Sequence, residues 1–171
     1  MQTWIRHLLL AATTCALAVS PVFAQPKQLG YTLVKSYPHD RNAFTQGLLY
    51  YDGKLLESTG QYGRSELREV ELETGRVIRK QRLARTDFGE GLARIGTQLV
   101  QLTWTSGHGY LWSIHDFERS GTLPYHFAGT GKAARGWGAC FNNEELVVSD
   151  GSDQLYFLDR ENYRVVQQLS V

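Results

Sequence analysis

The sequence predicts an all-β chain assembled from repeats of one four-stranded unit, and three observations carry that prediction. Three stretches can be laid over one another: Ala43-Phe44-Thr45-Gln46-Gly47-Leu48, Asp87-Phe88-Gly89-Glu90-Gly91-Leu92 and Ala134-Arg135-Gly136-Trp137-Gly138-Ala139. Their glycines Gly47, Gly91 and Gly138 lie 44 and 47 residues apart. Each copy then continues alike, with a turn (Asp52-Gly53, Gly96-Thr97, Asn142-Asn143) followed by an apolar pair (Leu55-Leu56, Leu99-Val100, Leu146-Val147). Beyond the first two dozen residues, apolar side chains nowhere recur at helical spacing over a long window. A strand-built period of about 40–50 residues is the mark of a β-propeller blade.

Within the first copy each strand has its own reason. Asp52-Gly53 between Leu48-Leu49-Tyr50 and Leu55-Leu56 predicts a tight hairpin, because a type I′ turn requires positive φ at both central residues. Leu67-Arg68-Glu69-Val70-Glu71-Leu72 alternates apolar and polar residues, which predicts a half-buried strand with one solvated face. Glu73-Thr74-Gly75 turns it into Arg76-Val77-Ile78. Four strands between Gly47 and Arg82 make one blade, and the three blades are expected to open near residues 43, 87 and 134.

The N-terminus reads differently. Arg6 and His7 precede an apolar run from Leu8 to Val19, Pro21 breaks any helix, and Val22-Phe23-Ala24 supplies a small residue for cleavage. This is the pattern of a signal peptide over residues 1–24, and the run falls short of the roughly 20 apolar residues needed to span a bilayer. An uncleaved anchor is the alternative. Ala12-Thr13-Thr14 ahead of Cys15 makes a poor lipobox. Export to the periplasm or outside the cell is therefore expected, with residues 25–171 as the folded part and no membrane contact after cleavage. The 18 basic and 17 acidic side chains become equal in number once Arg6 is removed, so no basic footprint for nucleic acid exists. Cys140 is then alone, which excludes an internal disulfide; a buried apolar role is expected for it.

A length problem follows. At about 45 residues a blade, residues 25–171 hold a little over three, whereas propellers typically close with four to eight. Gln168-Leu169-Ser170-Val171 also reads as part of an outer strand, whose sheet would be left with open edges. A truncated form of a longer protein is expected.

Repeat geometry brings candidate chemistry together. Inner strands of successive blades run side by side around the central axis, so equivalent positions converge at one mouth. The position before the shared glycine is Gln46, Glu90 and Trp137 in turn. Trp104, ending the second strand of its copy, returns to the same mouth. Phe44 and Phe88 stand two residues before Gln46 and Glu90, on the same side of their strands. A carboxylate among such rings is desolvated, which raises its pKa towards the range useful for proton transfer near neutrality. The plainer alternative is that Gln46 and Glu90 cap strands and the aromatics are core.

Tyr37-Pro38-His39-Asp40 and Ala43-Phe44-Thr45-Gln46-Gly47-Leu48 resemble the opening signature of the plant and bacterial glutaminyl-peptide cyclotransferases. Glu57-Ser58-Thr59-Gly60-Gln61-Tyr62-Gly63, Ser65-Glu66-Leu67-Arg68, Phe88-Gly89-Glu90-Gly91, Gln101-Leu102-Thr103-Trp104 and Ser149-Asp150-Gly151-Ser152 are further matches, and the similarity covers nearly all of Tyr31 to Val171. The resemblance implies a five-bladed propeller whose mouth converts N-terminal glutaminyl residues of peptides and proteins to 5-oxoproline with release of ammonia. It implies that Glu90 is the acid/base carboxylate, and that Phe44, Gln46, Phe88, Trp104 and Trp137 line the substrate pocket. Two departures stand out. Arg135 replaces an expected glutamate and could pair with Glu90, lowering its pKa. The family's fourth and fifth blades, with their own site residues, are missing.

No cofactor or metal is expected. His39, His108, His115 and His126 show no zinc spacing, and His39 is expected to serve the turn after Pro38. Gly63-Arg64-Ser65 and Thr130-Gly131-Lys132 complete no phosphate loop. Gln25, if exposed by cleavage, could itself be a substrate. The function alternatives are an acyltransferase of the cyclotransferase type, a non-catalytic module that binds peptides through the same mouth, and a fragment with no stable fold.

Overall fold

The computed structural model describes residues 27–125, 127 and 134–171. The expected signal peptide, Cys15, Gln25, His126 and Thr130-Gly131-Lys132 lie outside them. Residues 27–34 carry no regular secondary structure, and Lys35–Val171 forms a compact unit of its own.

That unit is three four-stranded antiparallel sheets, each a simple meander. The first holds β1 (Thr45–Tyr51), β2 (Lys54–Thr59), β3 (Glu66–Glu71) and β4 (Val77–Arg82). The second holds β5 (Gly89–Ile95), β6 (Gln98–Thr103), β7 (His108–Ser113) and β8 (Arg119–Pro124). The third holds β9 (Ala139–Phe141), β10 (Glu145–Ser149), β11 (Gln154–Asp159) and β12 (Val165–Ser170). The predicted hairpin forms at Asp52 and Gly53, with φ of 50° and 76°, and seats Tyr51 opposite Lys54.

Period-two alternation explains why the middle sheet is buried on both faces. Leu92, Leu99, Tyr110 and Trp112 pack with Leu56 and Leu67 of the first sheet. Their neighbours in sequence, Ala93, Val100 and Leu111, turn the other way and pack with Leu146, Val148, Tyr156 and Leu158 of the third. Adjacent residues of one strand thus serve two different cores. Each fully buried leucine contributes about 2 kcal/mol relative to exposure.

The repeated glycine has a steric cause. A Cβ on Gly47 would lie 2.6 Å from the Leu92 nitrogen, and one on Gly91 would lie 2.4 Å from the Trp137 oxygen. Neighbouring inner strands approach too closely there for any side chain. Gly138 meets only Ser149 of its own sheet.

Four expectations need correction. The polar residues of β3 are not solvated: Glu66, Arg68 and Glu69 are all buried. They are tolerated because they are paired. Glu66 binds Arg68 (2.9 Å) and Lys80 (2.8 Å), Glu69 binds Lys54 and Arg79 (both 2.6 Å), and Arg68 also reaches Asp40 (3.1 Å). His39 does more than serve a turn, since its Nε2 lies 3.0 Å from the Glu57 carboxylate, which is 1% exposed. Cys140 is exposed; it sits in β9, on the sheet that has no further sheet beyond it among the described residues. Trp137 precedes β9, which spans only three residues, so it is not inside a strand as Gln46 and Glu90 are.

Candidate active site

Gln46 and Glu90 are re-aimed by the same local irregularity. In β1 the pairing with β2 slips between Thr45 and Gly47, and in β5 the pairing with β6 slips between Gly89 and Leu92. Bulges of this kind free a residue from the ladder and turn its side chain. Both fall at the first residues of an inner strand, and the two side chains meet: Gln46 Nε2 donates to Glu90 Oε1 at 3.2 Å. The partners are 44 residues apart and come from different sheets.

Glu90 is 8% exposed. Burial pushes its carboxyl up to about 7 from its ordinary value, because desolvation disfavours the charged form. The single donor from Gln46 sits at the long end of the N–H···O range and does not offset this. Arg135, expected to pair with Glu90, makes no ion pair with it among the described residues; it is exposed, and burial is the cause of the Glu90 shift.

Three of the predicted aromatics form a continuous edge-to-face chain, with Phe88 two residues before Glu90 in sequence. Phe44 meets Phe88 at 5.9 Å between ring centres, and Phe88 meets Trp104 at 5.8 Å. The backbone repeats the arrangement: Gly60 N–H donates to the Phe44 carbonyl at 2.8 Å, and Trp104 N–H to the Phe88 carbonyl at 2.9 Å. The Trp104 indole nitrogen is buried and has no hydrogen-bond partner among the described residues, an N–H left available for an acceptor.

Trp137 is brought to the same place by its backbone. Its carbonyl accepts from Gly91 N–H at 2.7 Å, next to Glu90. Its indole is 44% exposed and lies over Gly151, whose added Cβ would come within 2.9 Å of the ring.

Sequence reasoning missed three contributors. Tyr62 packs edge-on against Phe88 at 5.5 Å; its place in the turn Gly60-Gln61-Tyr62-Gly63, three residues past the end of β2, was the available signal. Tyr125 is buried, its hydroxyl donating to the Thr103 carbonyl and accepting from the Thr103 N–H; burial pushes the phenol up, and the charge of Glu90 adds to this. Asp87 is 3% exposed and accepts from Tyr110 (2.6 Å), Ser106 (2.9 Å), Thr86 (3.1 Å) and His108 (3.1 Å). Burial alone would raise its carboxyl, but these donors hold it below its ordinary value. Nothing in the local sequence announces that knot, which pins the residue before Phe88. Among the described residues, no group of three or more His, Cys, Asp and Glu is arranged to hold a metal.

Comparison with known proteins decides the family. A family model described as glutamine cyclotransferase matches residues 6–171. The chain belongs to the glutamine cyclotransferase family. It is 36% identical over 137 residues to the glutaminyl-peptide cyclotransferase of Arabidopsis thaliana, across 80% of this chain and 41% of that protein. It is also similar to the crystal structure of Myxococcus xanthus glutaminyl cyclase, with a TM-score of 0.70, 38% identity, and coverage of 82% of this chain and 56% of that one. The WD40 domain of Neurospora crassa Pan2 matches with a TM-score of 0.59 at 8% identity, over 74% of this chain and 36% of that one, a likeness of propeller fold alone. This glutamine cyclotransferase family member thus spans about half the length, or less, of the Arabidopsis thaliana and Myxococcus xanthus proteins.

Proposed function

We propose that these three sheets carry the catalytic mouth of a glutaminyl-peptide cyclotransferase, an acyltransferase that closes N-terminal glutamine to pyroglutamate without a metal. The observation that supports this most is Glu90: a buried carboxyl that meets Gln46 of the neighbouring sheet and is poised near neutral pH. In this reading the full propeller has five blades, of which these sheets are three, and the protein acts after export to the periplasm or beyond.

Cyclisation is intramolecular, so the site must hold a bent conformer, stabilise an oxyanion and move protons. The substrate's neutral α-amine attacks its own γ-carboxamide carbon, forming the ring C–N bond. Glu90, as carboxylate, takes the proton from that amine. It then delivers it to the amide nitrogen, the old C–N bond breaks, and ammonia leaves. One carboxyl returns to its starting state, and such acid/base help is worth about 10²–10⁴ in rate. A group with a pKa of about 7 can both accept and give the proton near neutrality. The unpartnered Trp104 N–H and the Gln46 amide are the candidate donors to the developing oxyanion, and Phe44 and Phe88 pack the substrate methylenes.

The test is ammonia release from a Gln-initiated peptide by purified chain of verified mass, alongside Glu90→Gln. Loss of release in the variant is expected; undiminished release rejects the role of Glu90. Peptide binding with no release by the parent would leave a binding module instead.

A further inference from the structure

Phe44 faces two ways. Its ring meets Phe88 in the aromatic chain, and it also lines a cavity of about 220 Å³ on the mouth end of the first sheet. Gly60 lines that cavity as well and lies under the Phe88 ring. The remaining wall is strongly basic: Arg64, Arg68, Lys80 and Arg82 line it, against one acid, Glu66.

That acid is fully engaged. Glu66 is 4% exposed; its Oε2 takes Arg68 at 2.9 Å, and its Oε1 takes Lys80 at 2.8 Å and Arg82 at 3.4 Å. Burial opposes its charge, but Lys80 and Arg68 hold it ionised, below its ordinary value. Arg68 is further occupied by Asp40. Arg82 makes only the longest of these contacts and its side chain is 75% exposed. Arg64 has no ion pair among the described residues, and it also lines a neighbouring recess with Arg41, Asn42, Phe44 and Gln61. Positive charge is therefore left over on the solvent side of the cavity, carried by Arg64 and Arg82.

We propose that this cavity is a subsite for an acidic side chain downstream of the substrate's N-terminal glutamine, with Arg64 and Arg82 as its carboxylate partners. This deepens the cyclotransferase reading and rests on it for the direction of the peptide. A peptide whose first residue sits at Glu90 leaves past Phe88 and Phe44. Three extended residues span roughly 10 Å, and the proposal assigns the cavity to one of the second to fourth residues. Guanidinium groups bind carboxylates with paired, charge-assisted hydrogen bonds, and exposed pairs of this kind are weakened by salt.

The test is calorimetric binding to the full chain of Gln-initiated tetrapeptide amides carrying Glu, Gln or Lys at the second, third or fourth position. At low salt, Glu at one of these positions is expected to tighten binding about five- to tenfold over Gln, with Lys weaker still, and the advantage to shrink towards about twofold at roughly 0.5 M salt. The double variant R64A/R82A binds the Glu and Gln peptides alike, and R64E/R82E prefers the Lys peptide. Equal affinity for all three peptides at every position overturns the subsite, as does a Glu preference that survives R64E/R82E or an absence of binding by every peptide. A Glu preference in binding with no ammonia released from any peptide leaves the subsite standing and removes the cyclotransferase reading. Ammonia release without preference does the reverse.

Discussion

The ring of Phe88 lies directly on the α-carbon of Gly60: a methyl group there would come within 2.2 Å of Cε1 and 2.6 Å of Cζ. The first sheet therefore supplies a bare patch of backbone for a ring from the second. Phe88 in turn touches Phe44, Tyr62 and Trp104, so the aromatic cluster depends on that missing side chain. Gly60→Ala is expected to push the ring aside and cost about 1–3 kcal/mol through overpacking. Urea unfolding and near-ultraviolet circular dichroism check this, and an unchanged aromatic spectrum would contradict the packing.

Glu90→Gln separates catalysis from stability. Burial raises the folded carboxyl to about 7 from an ordinary 4.5, so between those pH values the folded chain retains a proton that the unfolded chain releases. The contribution of this group to stability is therefore undiminished below pH 4.5, falls as pH rises to 7, and stays at its low level above. A neutral amide of the same shape carries no such penalty. The variant is expected to match the parent in thermal unfolding near pH 4.5 and to exceed it at pH 8. A stability difference that is the same at both pH values would count against a desolvated carboxylate.

Gln46→Ala removes the one side-chain donor to Glu90 among the described residues. That hydrogen bond favours the charged form, so its loss moves the Glu90 midpoint upward. Carbon-13 NMR of the glutamate carboxyls gives the midpoint without relying on turnover. A downward shift is incompatible with the observed contact.

Arg68→Met tests the buried charges of β3. The variant leaves Glu57 and Glu66, 1% and 4% exposed, short of their shared cation. Stranding a buried charge outright costs about 3–5 kcal/mol; because Glu66 keeps Lys80 and Glu57 keeps His39, a loss of about 1–3 kcal/mol is expected, readable as a fall in the urea midpoint. A loss under about 1 kcal/mol would mean that the cluster behaves as an ordinary surface network.

Gly47, Gly91 and the hairpin at Asp52-Gly53 were legible because each is a backbone demand met by one residue type. Gln46, Glu90, Phe44, Phe88 and Trp104 were legible because equivalent positions of a repeat must converge. Cys140, Arg135 and the polar residues of β3 were misjudged for one reason. Their surroundings are supplied by segments far away in sequence, and local pattern says nothing about which neighbour arrives. Arg68 on an alternating strand looks solvated until Asp40, Glu57 and Glu66 surround it. The Asp87 knot with Tyr110 and His108 was hidden in the same way.

Period and turn chemistry by themselves determined an all-β chain of repeated meanders, since strand alternation and positive-φ turns act over a few residues, while the family showed only in the likeness of its ordered motifs to known relatives. Only the tertiary structure decided that Glu90 is buried enough to titrate near neutrality, that Gln46 reaches it, and that basic side chains are left over beside Phe44. Those are properties of distance and solvent exclusion, created when one sheet packs against the next.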